Sequence, residues 1–504
     1  MPRNGRQGKR VVFMSKKKDT NVYATFLGES RNDVTGSSLL LNIPRKDYSR
    51  YNILIEMGLV QGGNTIKQDI ANNRKMLERY NKDLIQSINY VFVAHSHCDH
   101  HANLPYLQAS GVFNGQVIMP KISMPIVEHL MEDSVKIHEA NIRKLKEQGE
   151  KHIKPFYTSV DMYELFEKFK GVEIGEKYRL NDEIEYRFIN SGHVLGGAML
   201  ELWITKPNNS KIHLVYSSDM GSNHNNNFQY YVPPRDQVSK CNYFISEGTY
   251  NNPDRSWTKK QAIEERAELK SDIKNYLCSG KEILFSAFSF GRLQNILCML
   301  YDYYHDQEWF KDIPVIIDGV LLHKINSDYL NVLKGEEKEH FQRVLNWSNL
   351  KCNKDYTGTL MILAKHEPRI IISTSGFLTN GRIVTYLQSM LGSSKAVIYL
   401  SGYCGGLDSL GAKILNPNQK TVTIDKKVVL KKATVKQLRT MSSHIQYDEL
   451  MSLYRGLNCN KIIIHHSSED GKENFGQEVR EELAKCDKTT KVDVVTNKNY
   501  QFIL

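Results

Sequence analysis

The chain contains the stretch Tyr90-Val91-Phe92-Val93-Ala94-His95-Ser96-His97-Cys98-Asp99-His100, which joins an apolar run to a cluster of metal-ligand side chains. The run from Tyr90 to Ala94 is typical of a buried β-strand. Four potential ligands follow it within six residues, and zinc accepts both imidazole and carboxylate ligands. Residues at a strand end can converge on a ligand without disturbing the core. The stretch therefore predicts a metal site at the edge of a sheet.

Two later stretches place further ligand types at predicted strand ends. His193 lies in Asn190-Ser191-Gly192-His193-Val194-Leu195-Gly196-Gly197, where the glycines permit close backbone approach. Asp219 follows the predicted strand Lys211 to Ser217, and its carboxylate is of the type that can bridge two metal ions. A single histidine or aspartate at a strand end is usually only a turn residue, so both assignments depend on the cluster at 95–100.

Length and charge narrow the class of protein. A chain of 504 residues predicts two or more domains. Lysine and arginine number 67 against 56 acidic residues, a net charge of +11 that favours polyanionic partners, although it also suits an ordinary solvated surface. The sequence has no apolar run long enough to span a membrane, and the basic stretch Met1 to Asp19 has no apolar signal core. We therefore expect a cytoplasmic protein without a membrane partner.

The eight cysteines are scattered and include no CxxC pair, which argues against both a disulfide framework and a cysteine zinc site. A polar patch at 223–227 predicts a surface loop. From about Asn251 to Thr434, short apolar strands alternate with helices, as in a parallel, doubly wound sheet. A helix and a strand then return between Tyr447 and His465. We expect an α/β protein in which 1–250 and 435–504 form one domain, interrupted by a second at 251–434.

These motifs resemble the metallo-β-lactamase superfamily, and more narrowly its β-CASP branch of RNA-processing nucleases. The resemblance implies an αββα sandwich with an inserted α/β domain, and it extends over nearly the whole chain. It is carried by the 95–100 run and by Phe26-Leu27-Gly28-Glu29, Ile53-Leu54-Ile55-Glu56-Met57-Gly58, Ser246-Glu247-Gly248-Thr249-Tyr250, Phe288-Ser289-Phe290-Gly291-Arg292-Leu293-Gln294, residues 371–382, Ser442-Ser443-His444-Ile445-Gln446 and Ile462-Ile463-Ile464-His465-His466.

The resemblance implies two Zn²⁺ ions per chain. His95, His97 and His193 would hold one ion, and Asp219 would bridge to the other. The second ion would be held by Asp99, His100 and His465. His465 is chosen over His466 because the family has a small residue at the latter position. Glu56 occupies a position where the family usually has aspartate, and a supporting role behind the ligands is expected for it.

The resemblance also implies roles outside the ligand set. His444 would donate a proton to the leaving oxygen, oriented by Glu247, and Asp99 is counted with them as catalytic. Ser373, Thr374, Ser375 and Gly376 match the family's phosphate-binding turn. Serine hydroxyls and backbone N–H groups at the start of a helix suit an anion, although such turns often only cap helices.

The implied function is a zinc-dependent ribonuclease that hydrolyses phosphodiester bonds of single-stranded RNA by a two-metal mechanism with metal-activated hydroxide. It would act as an endonuclease, a 5′-exonuclease or both. The resemblance is closer to the nuclease subunit of the cleavage and polyadenylation machinery and its stand-alone prokaryotic relatives than to ribonuclease J, since little sequence follows His465. A DNA-directed nuclease, a catalytically silent scaffold subunit and a small-ester hydrolase are the alternatives. A homodimer or RNA-processing partners are expected.

Overall fold

The computed structural model describes residues 19–29, 33–63, 65–225, 229–378, 380–402 and 409–504. The basic stretch at 1–18, residues 226 and 227 of the polar patch, Thr379 and Cys404 lie outside these ranges. In the described part of the chain, no helix is long and apolar enough to cross a membrane.

The first sheet has seven strands and contains the strand that precedes the ligand cluster. Its strands are β1 (Tyr23–Phe26), β2 (Leu39–Pro44), β3 (Arg50–Ile55), β4 (Ile88–Phe92), β5 (Gln116–Pro120), β6 (Phe169–Val172) and β22 (Gln501–Ile503). They are ordered β22-β1-β2-β3-β4-β5-β6. The strands from β3 to β6 pair in parallel, so the carboxyl ends of β3 and β4 meet at one edge.

The second sheet also has seven strands and supplies the remaining ligand positions. They are β7 (Lys177–Arg179), β8 (Ile184–Asn190), β9 (Ala198–Thr205), β10 (Lys211–Tyr216), β11 (Tyr243–Glu247), β20 (Lys461–His465) and β21 (Lys491–Val494), in the order β21-β20-β11-β10-β9-β8-β7. β10, β11 and β20 pair in parallel, which brings their carboxyl ends together.

The two sheets pack face to face and are covered by helices on their outer faces. Buried side chains such as Phe92 from the first sheet and Phe188 from the second form the core between them. The helices are α1 (Ile66–Leu77), α2 (Lys82–Ser87), α3 (Cys98–His101), α4 (Pro105–Ala109), α5 (Met124–Glu147), α6 (Ser159–Phe166), α14 (Tyr447–Gly456) and α15 (Lys472–Lys485). α14 and α15 pack on the second sheet through a separate apolar core. The αββα sandwich expected from the sequence is confirmed.

The inserted domain contains a third sheet of six parallel strands. They are β12 (Glu282–Ser286), β13 (Val315–Asp318), β14 (Leu350–Asn353), β15 (Ile370–Ser373), β16 (Ala396–Leu400) and β19 (Thr434–Gln437), ordered β14-β13-β15-β12-β16-β19. Its helices are α7 (Lys259–Cys278), α8 (Arg292–Tyr304), α9 (Val320–Val332), α10 (Gly335–Leu345), α11 (Tyr356–Leu363), α12 (Ile383–Met390) and α13 (Leu410–Leu415). A hairpin of β17 (Thr421–Ile424) and β18 (Lys427–Leu430) completes it.

Local sequence signals account for the start of the inserted domain. Thr258 precedes α7, and its side chain accepts a hydrogen bond from the backbone N–H of Gln261, whose own side chain caps Thr258 in return. This reciprocal cap satisfies two backbone donors that the first helical turn leaves free. The last strand of the third sheet reaches Gln437, slightly beyond the predicted boundary at 434. The division into three segments remains a prediction.

Candidate metal centre

The metal-ligand side chains lie where strands of both sheets end. His95 and His97 follow β4, and the short helix α3 carries Asp99 and His100. Asp219 follows β10 after Ser218, which has a positive φ of 46°. A left-handed conformation costs free energy for a residue other than glycine. The next side chain, Asp219, lies among the histidines.

The first group of ligand atoms comes from His95, His97, His193 and Asp219, which all lie within 4.8 Å of one another. The Nε2 atom of His193 lies 3.3 Å from Nδ1 of His97 and 3.6 Å from Oδ2 of Asp219. The Nε2 atom of His95 lies 3.5 Å from the same carboxylate oxygen. All four residues predicted for one ion therefore converge.

The second group consists of Asp99, His100, His466 and Asp219. The Nε2 atom of His100 lies 3.3 Å from Oδ2 of Asp219 and 3.6 Å from Oδ2 of Asp99. His466 approaches the other Asp219 oxygen, with its Nδ1 atom 3.6 Å from Oδ1. The Asp219 carboxylate thus faces both groups, which is the arrangement of a bridging ligand.

The prediction of His465 as a ligand is wrong, because the structure brings His466 to the centre instead. His465 is the last residue of β20, and its ring packs in the core between the sheets at 5.2 Å from the ring of Phe26 and 5.3 Å from that of Tyr216. Successive residues of a strand face opposite sides. His466 leaves the strand with a φ of 48° and turns to Asp99 and Asp219.

Glu56 lies behind the ligands and fixes the orientation of two of them. Its Oε2 atom lies 2.7 Å from Nδ1 of His100 and accepts a hydrogen bond of 2.6 Å from the Tyr216 hydroxyl. Its Oε1 atom accepts a hydrogen bond from Ser218, whose oxygen lies 3.1 Å from Nδ1 of His95. With Nδ1 of each histidine donating a proton, Nε2 keeps a lone pair for a metal ion. No sequence pattern indicates this role for Tyr216 or Ser218.

His444 lies beside the centre but is oriented by a different carboxylate. Its Nδ1 atom lies 3.0 Å from Oε2 of Glu247, and its Nε2 atom lies 3.9 Å from Oδ2 of Asp219. Glu247 ends β11, is fully buried, and also accepts a hydrogen bond from the backbone N–H of Met220. The pair predicted from the sequence is therefore brought together at the rim of the ligand cluster.

Burial and charge act on these groups in two ways. Burial lowers the pKa of His95 and His193 well below the usual value, and that of His97 to about 4, so these rings are neutral, as ligands must be. Burial also disfavours the charged form of His100, but the nearby carboxylates, Glu56 first, raise its pKa well above the usual value. For Asp219, burial is outweighed by the surrounding histidines, which lower its pKa. The carboxylates around His100 thus favour a positive charge at its position in the centre.

Several buried polar atoms in the cluster have no hydrogen-bond partner among the described residues. They are Nε2 of His95, Nε2 of His100, Nδ1 of His193, Oδ1 of Asp219 and Nε2 of His466. Buried polar atoms without partners are costly unless a metal ion or another group satisfies them. Each of these atoms belongs to a residue of one of the two ligand groups, and imidazole with carboxylate is a donor set that zinc accepts. The residues present therefore fit two metal ions.

The ligand cluster opens into a cavity of about 380 Å³. Both domains line it, and the inserted domain contributes Phe288, Phe290 and Phe377. The rings of Phe288 and Phe377 meet edge to face with centroids 5.2 Å apart. The residues predicted as a phosphate-binding turn, from Ser373 to Gly376, directly precede Phe377 but do not line the cavity themselves. Ser373 is buried at the end of β15, and the anion-binding role of this turn remains a prediction.

Two segments of the chain match known family models. Residues 293–414 match the family model described as the Beta-Casp domain. Residues 429–494 match the model described as a Zn-dependent metallo-hydrolase RNA specificity domain. The second match includes His444 and His466, and the first begins directly after the segment Phe290-Gly291-Arg292, which lines the cavity.

Similar curated proteins cover most of the chain at low identity. Integrator complex subunit 11 of Danio rerio is 23% identical over 484 residues, which are 92% of this chain and 72% of that protein. Ribonuclease TTHA0252 of Thermus thermophilus is 24% identical over 448 residues, 87% of this chain and 91% of the relative. Endoribonuclease ysh1 of Schizosaccharomyces pombe is 21% identical over 81% of this chain, which spans half of the relative's length. Together with the sandwich, the inserted domain and the ligand cluster, these matches support the resemblance of the chain to the β-CASP branch of the metallo-β-lactamase superfamily, a branch of RNA-processing nucleases.

Proposed function

We propose that this chain is a ribonuclease that holds two zinc ions and hydrolyses phosphodiester bonds of single-stranded RNA. The observation that carries the proposal is the position of the Asp219 carboxylate. Its Oδ2 atom lies between 3.3 and 3.6 Å from the Nε2 atoms of His100, His95 and His193, which belong to both ligand groups. A carboxylate shared in this way supports a pair of ions close enough to act on one phosphate.

The roles of the chain's own residues follow from their positions. His95, His97, His193 and Asp219 would hold one zinc ion, while Asp99, His100 and His466 would hold the other together with Asp219. When bound, the ions supply Lewis-acid stabilisation of the phosphate and a water nucleophile that is deprotonated near neutral pH. Glu56 accepts a hydrogen bond from Nδ1–H of His100, so that Nε2 of His100 stays directed at the metal centre.

His444 is the proton donor in this proposal. Glu247 binds its Nδ1 atom and leaves Nε2 directed towards the cleft beside Asp219. A leaving oxygen on the scissile phosphate would lie within reach of that Nε2–H, and protonation at this atom completes bond cleavage. Although burial disfavours the charged ring, Glu247 and Asp219 raise the pKa of His444 to about 9. The geometry of the Glu247 contact, rather than this shift, supports the role.

Preference for a single strand is supported by the aromatic wall of the cleft. Phe288 and Phe377 are each half-buried and lie at the same cavity as Asp99 and His444. Unpaired bases can stack on exposed aromatic rings, whereas bases inside a duplex are already stacked on each other. The net charge of +11 further favours a polyanionic substrate.

RNA is favoured over DNA by the comparisons. The matched model is described as an RNA specificity domain, and relatives are named ribonuclease and endoribonuclease. A relative named as a subunit of the Integrator complex supports association with RNA-processing partners. The complete set of ligand side chains argues against a catalytically silent scaffold, because such a subunit has no need to keep eight buried or partly buried ligand and proton-donor groups together.

The test measures zinc and cleavage in parallel. Purified protein is analysed for zinc and incubated with labelled single-stranded RNA, the same sequence as DNA, and the RNA in duplex form. We expect two zinc ions per chain and cleavage of single-stranded RNA. His444→Ala should keep its zinc and lose cleavage by about a hundredfold or more, the usual contribution of a general acid. His152→Ala, which changes an exposed histidine, is the matched control.

Product mapping separates the remaining possibilities. A 5′-labelled RNA is supplied with either a 5′ hydroxyl or a 5′ monophosphate. Internal fragments from both substrates would establish endonuclease action, and mononucleotides released only from the phosphorylated RNA would establish 5′-exonuclease action. Undiminished RNA cleavage by His444→Ala would exclude its role as proton donor. Zinc binding without cleavage of any nucleic acid would overturn the enzymatic proposal.

A further inference from the structure

We propose that Arg255 and Arg439 form a clamp for the RNA backbone that contacts phosphates on the leaving-oxygen side of the scissile bond. This inference rests on the ribonuclease function proposed above and names the side chains that hold its substrate in register with His444. Both arginines are exposed, and both line the cavity that contains Asp99, Asp219 and His444.

Arg255 is held in place by neutral groups. Its Nη2 atom donates hydrogen bonds of 2.6 Å to the side-chain oxygen of Asn251 and 2.9 Å to the Ser468 hydroxyl. Asn251 is itself buried and donates to Ser467 at 2.7 Å in the loop that follows His466. The guanidinium is therefore oriented by a hydrogen-bond network, and among the residues that the structure describes no carboxylate pairs with its charge.

Arg439 is oriented in the same manner by backbone carbonyls. Its Nη2 atom donates to the carbonyl oxygens of Asp254 at 3.1 Å and Arg255 at 3.2 Å. These contacts place the two arginines side by side. Glu265 is close, but its carboxylate accepts hydrogen bonds from the backbone N–H groups of Arg439 and Thr440. In the described part of the chain, neither guanidinium forms an ion pair with a carboxylate.

Uncompensated arginines at a cavity are suited to phosphate. A guanidinium presents several N–H donors in a plane that matches two phosphate oxygens, and it stays charged at all relevant pH values. One donor of each arginine is used to fix its orientation, and the others remain for a ligand. Pre-orientation of this kind reduces the entropy that a long side chain loses when it binds.

The clamp is connected to the proton donor through the backbone. Arg439 lies five residues before His444, in the segment that leads into the site. On the other side, Ser256 and Trp257, which follow Arg255, donate hydrogen bonds of 3.1 and 3.0 Å to the side chain of Gln446. Both segments that carry the arginines are therefore joined to the stretch around His444, one through the chain from Arg439 and the other through Gln446. Because His444 faces the leaving oxygen in the proposed mechanism, the clamp contacts the phosphates on that side of the bond.

The test combines substitutions in the protein with a neutral linkage in the RNA. Single-stranded RNAs carry one methylphosphonate, placed in turn at each linkage around the cleaved bond. With the zinc-loaded wild-type enzyme, a neutral linkage at the clamp should lower kcat/KM about tenfold, the effect of losing one hydrogen bond between charged groups. In the double variant Arg255→Gln/Arg439→Gln, the same linkage should have no further effect, since the contact is already absent.

Salt dependence provides a readout that a purely structural role would not change. Loss of one phosphate contact lowers the slope of log kcat/KM against log salt concentration by about one. The double variant should show a smaller slope and a higher KM with little change in kcat, while Arg255→Lys/Arg439→Lys should retain most of the slope. Arg343→Gln, on the exposed face of α10, is the matched control for lost charge.

Each outcome bears on a separate claim. If wild-type protein cleaves RNA but the double variant keeps both the slope and the sensitivity to every neutral linkage, the clamp is refuted and the ribonuclease function stands. The clamp would also be refuted if the double variant lost its sensitivity only to neutral linkages on the nucleophile side of the cleaved bond. The arginines would then contact phosphates on the side opposite to the one proposed. If wild-type protein cleaves no RNA, the proposed function itself fails.

Discussion

The Nδ1 atom of His100 lies 2.7 Å from the Oε2 atom of Glu56, and both side chains are buried. Glu56 has a positive φ of 64° directly after β3, so its side chain leaves the strand end towards β4 and the ligand loop. The family that the sequence resembles usually has aspartate at this position. The longer glutamate accepts hydrogen bonds from Ser218 and Tyr216 as well, so one carboxylate connects ligand-bearing segments of both sheets.

Glu56→Gln is expected to weaken zinc binding while leaving the fold intact. The amide cannot accept from His100, Ser218 and Tyr216 together, so the orientation of His100 is no longer fixed. Loss of a group behind a metal ligand usually costs about 10- to 100-fold in affinity. Competition with a chromogenic chelator measures the change. Tyr216→Phe, which removes only one donor to Glu56, should have a smaller effect, and equal zinc affinity in all three proteins would contradict the assignment.

The two adjacent histidines at the end of β20 are expected to respond differently to substitution. His466→Ala should lose one of the two zinc ions, because His466 faces Asp99 and Asp219. His465→Ala should keep both ions but lower the free energy of unfolding by about 2–4 kcal/mol, since it removes a buried ring from the core. Elemental analysis and urea unfolding of both variants distinguish them. Zinc loss in His465→Ala with retention in His466→Ala would reverse the assignment.

The aromatic wall is expected to affect substrate binding more than chemistry. Phe377→Ala should raise KM for single-stranded RNA about tenfold, within the range of stacking contributions of about 1–3 kcal/mol per base. Phe377→Tyr keeps a stacking face and should resemble the wild type. Steady-state kinetics on one short RNA measure both. A fall in kcat at unchanged KM would mean that the ring acts on the geometry of the centre instead.

His138 provides a pH-dependent contribution to stability far from the metal centre. Its Nε2 atom accepts a hydrogen bond of 3.1 Å from the backbone N–H of Phe156, and burial lowers its pKa from 6.5 to about 4. The unfolded chain therefore binds a proton more readily between these values, and stability falls as the pH falls from 6.5 towards 4. The full effect is at most about 3 kcal/mol.

Urea unfolding at pH 5 and pH 7.5 tests this contribution. His138→Gln keeps an acceptor for the N–H of Phe156 but cannot be protonated, so the stability difference between the two pH values should shrink. His152→Gln, at an exposed histidine, should leave that difference unchanged. Identical pH dependence in wild type and His138→Gln would show that His138 is not the titrating group.

The sequence was sufficient for the fold and for most of the centre, for identifiable reasons. His95, His97, His193 and Asp219 each follow a strand whose apolar pattern is clear. β8 and β10, which precede His193 and Asp219, both run antiparallel to β9, so their carboxyl ends lie at the same edge of the sheet. The choice between His465 and His466 failed because the end of a strand is uncertain by a residue, and one residue reverses the face of the side chain. In this protein, His465 faces the core and packs against Phe26 and Tyr216.

Other residues of the site cannot be identified from any local sequence pattern. Ser218 and Tyr216 contact Glu56 across more than 150 residues of sequence, so only the packed sheets bring them together. Arg255 and Arg439 are isolated arginines in loops, a residue type and location that usually indicate solvent exposure. Their significance depends on the hydrogen bonds that fix them and on the absence of a nearby ion pair among the described residues, which composition does not encode.

The order of the site residues along the chain has a consequence for protein synthesis. His95, His97, His193 and Asp219 precede the inserted domain, whereas His444 and His466 follow it. While the ribosome is still translating the insertion, the nascent chain holds one complete ligand group and only part of the other. β20, which pairs between β11 and β21, is also missing at that stage. The proposed proton donor and the proposed second metal position are completed together only after the insertion has been translated, so a product terminated within the insertion would retain zinc ligands but lack the residues proposed to complete RNA cleavage.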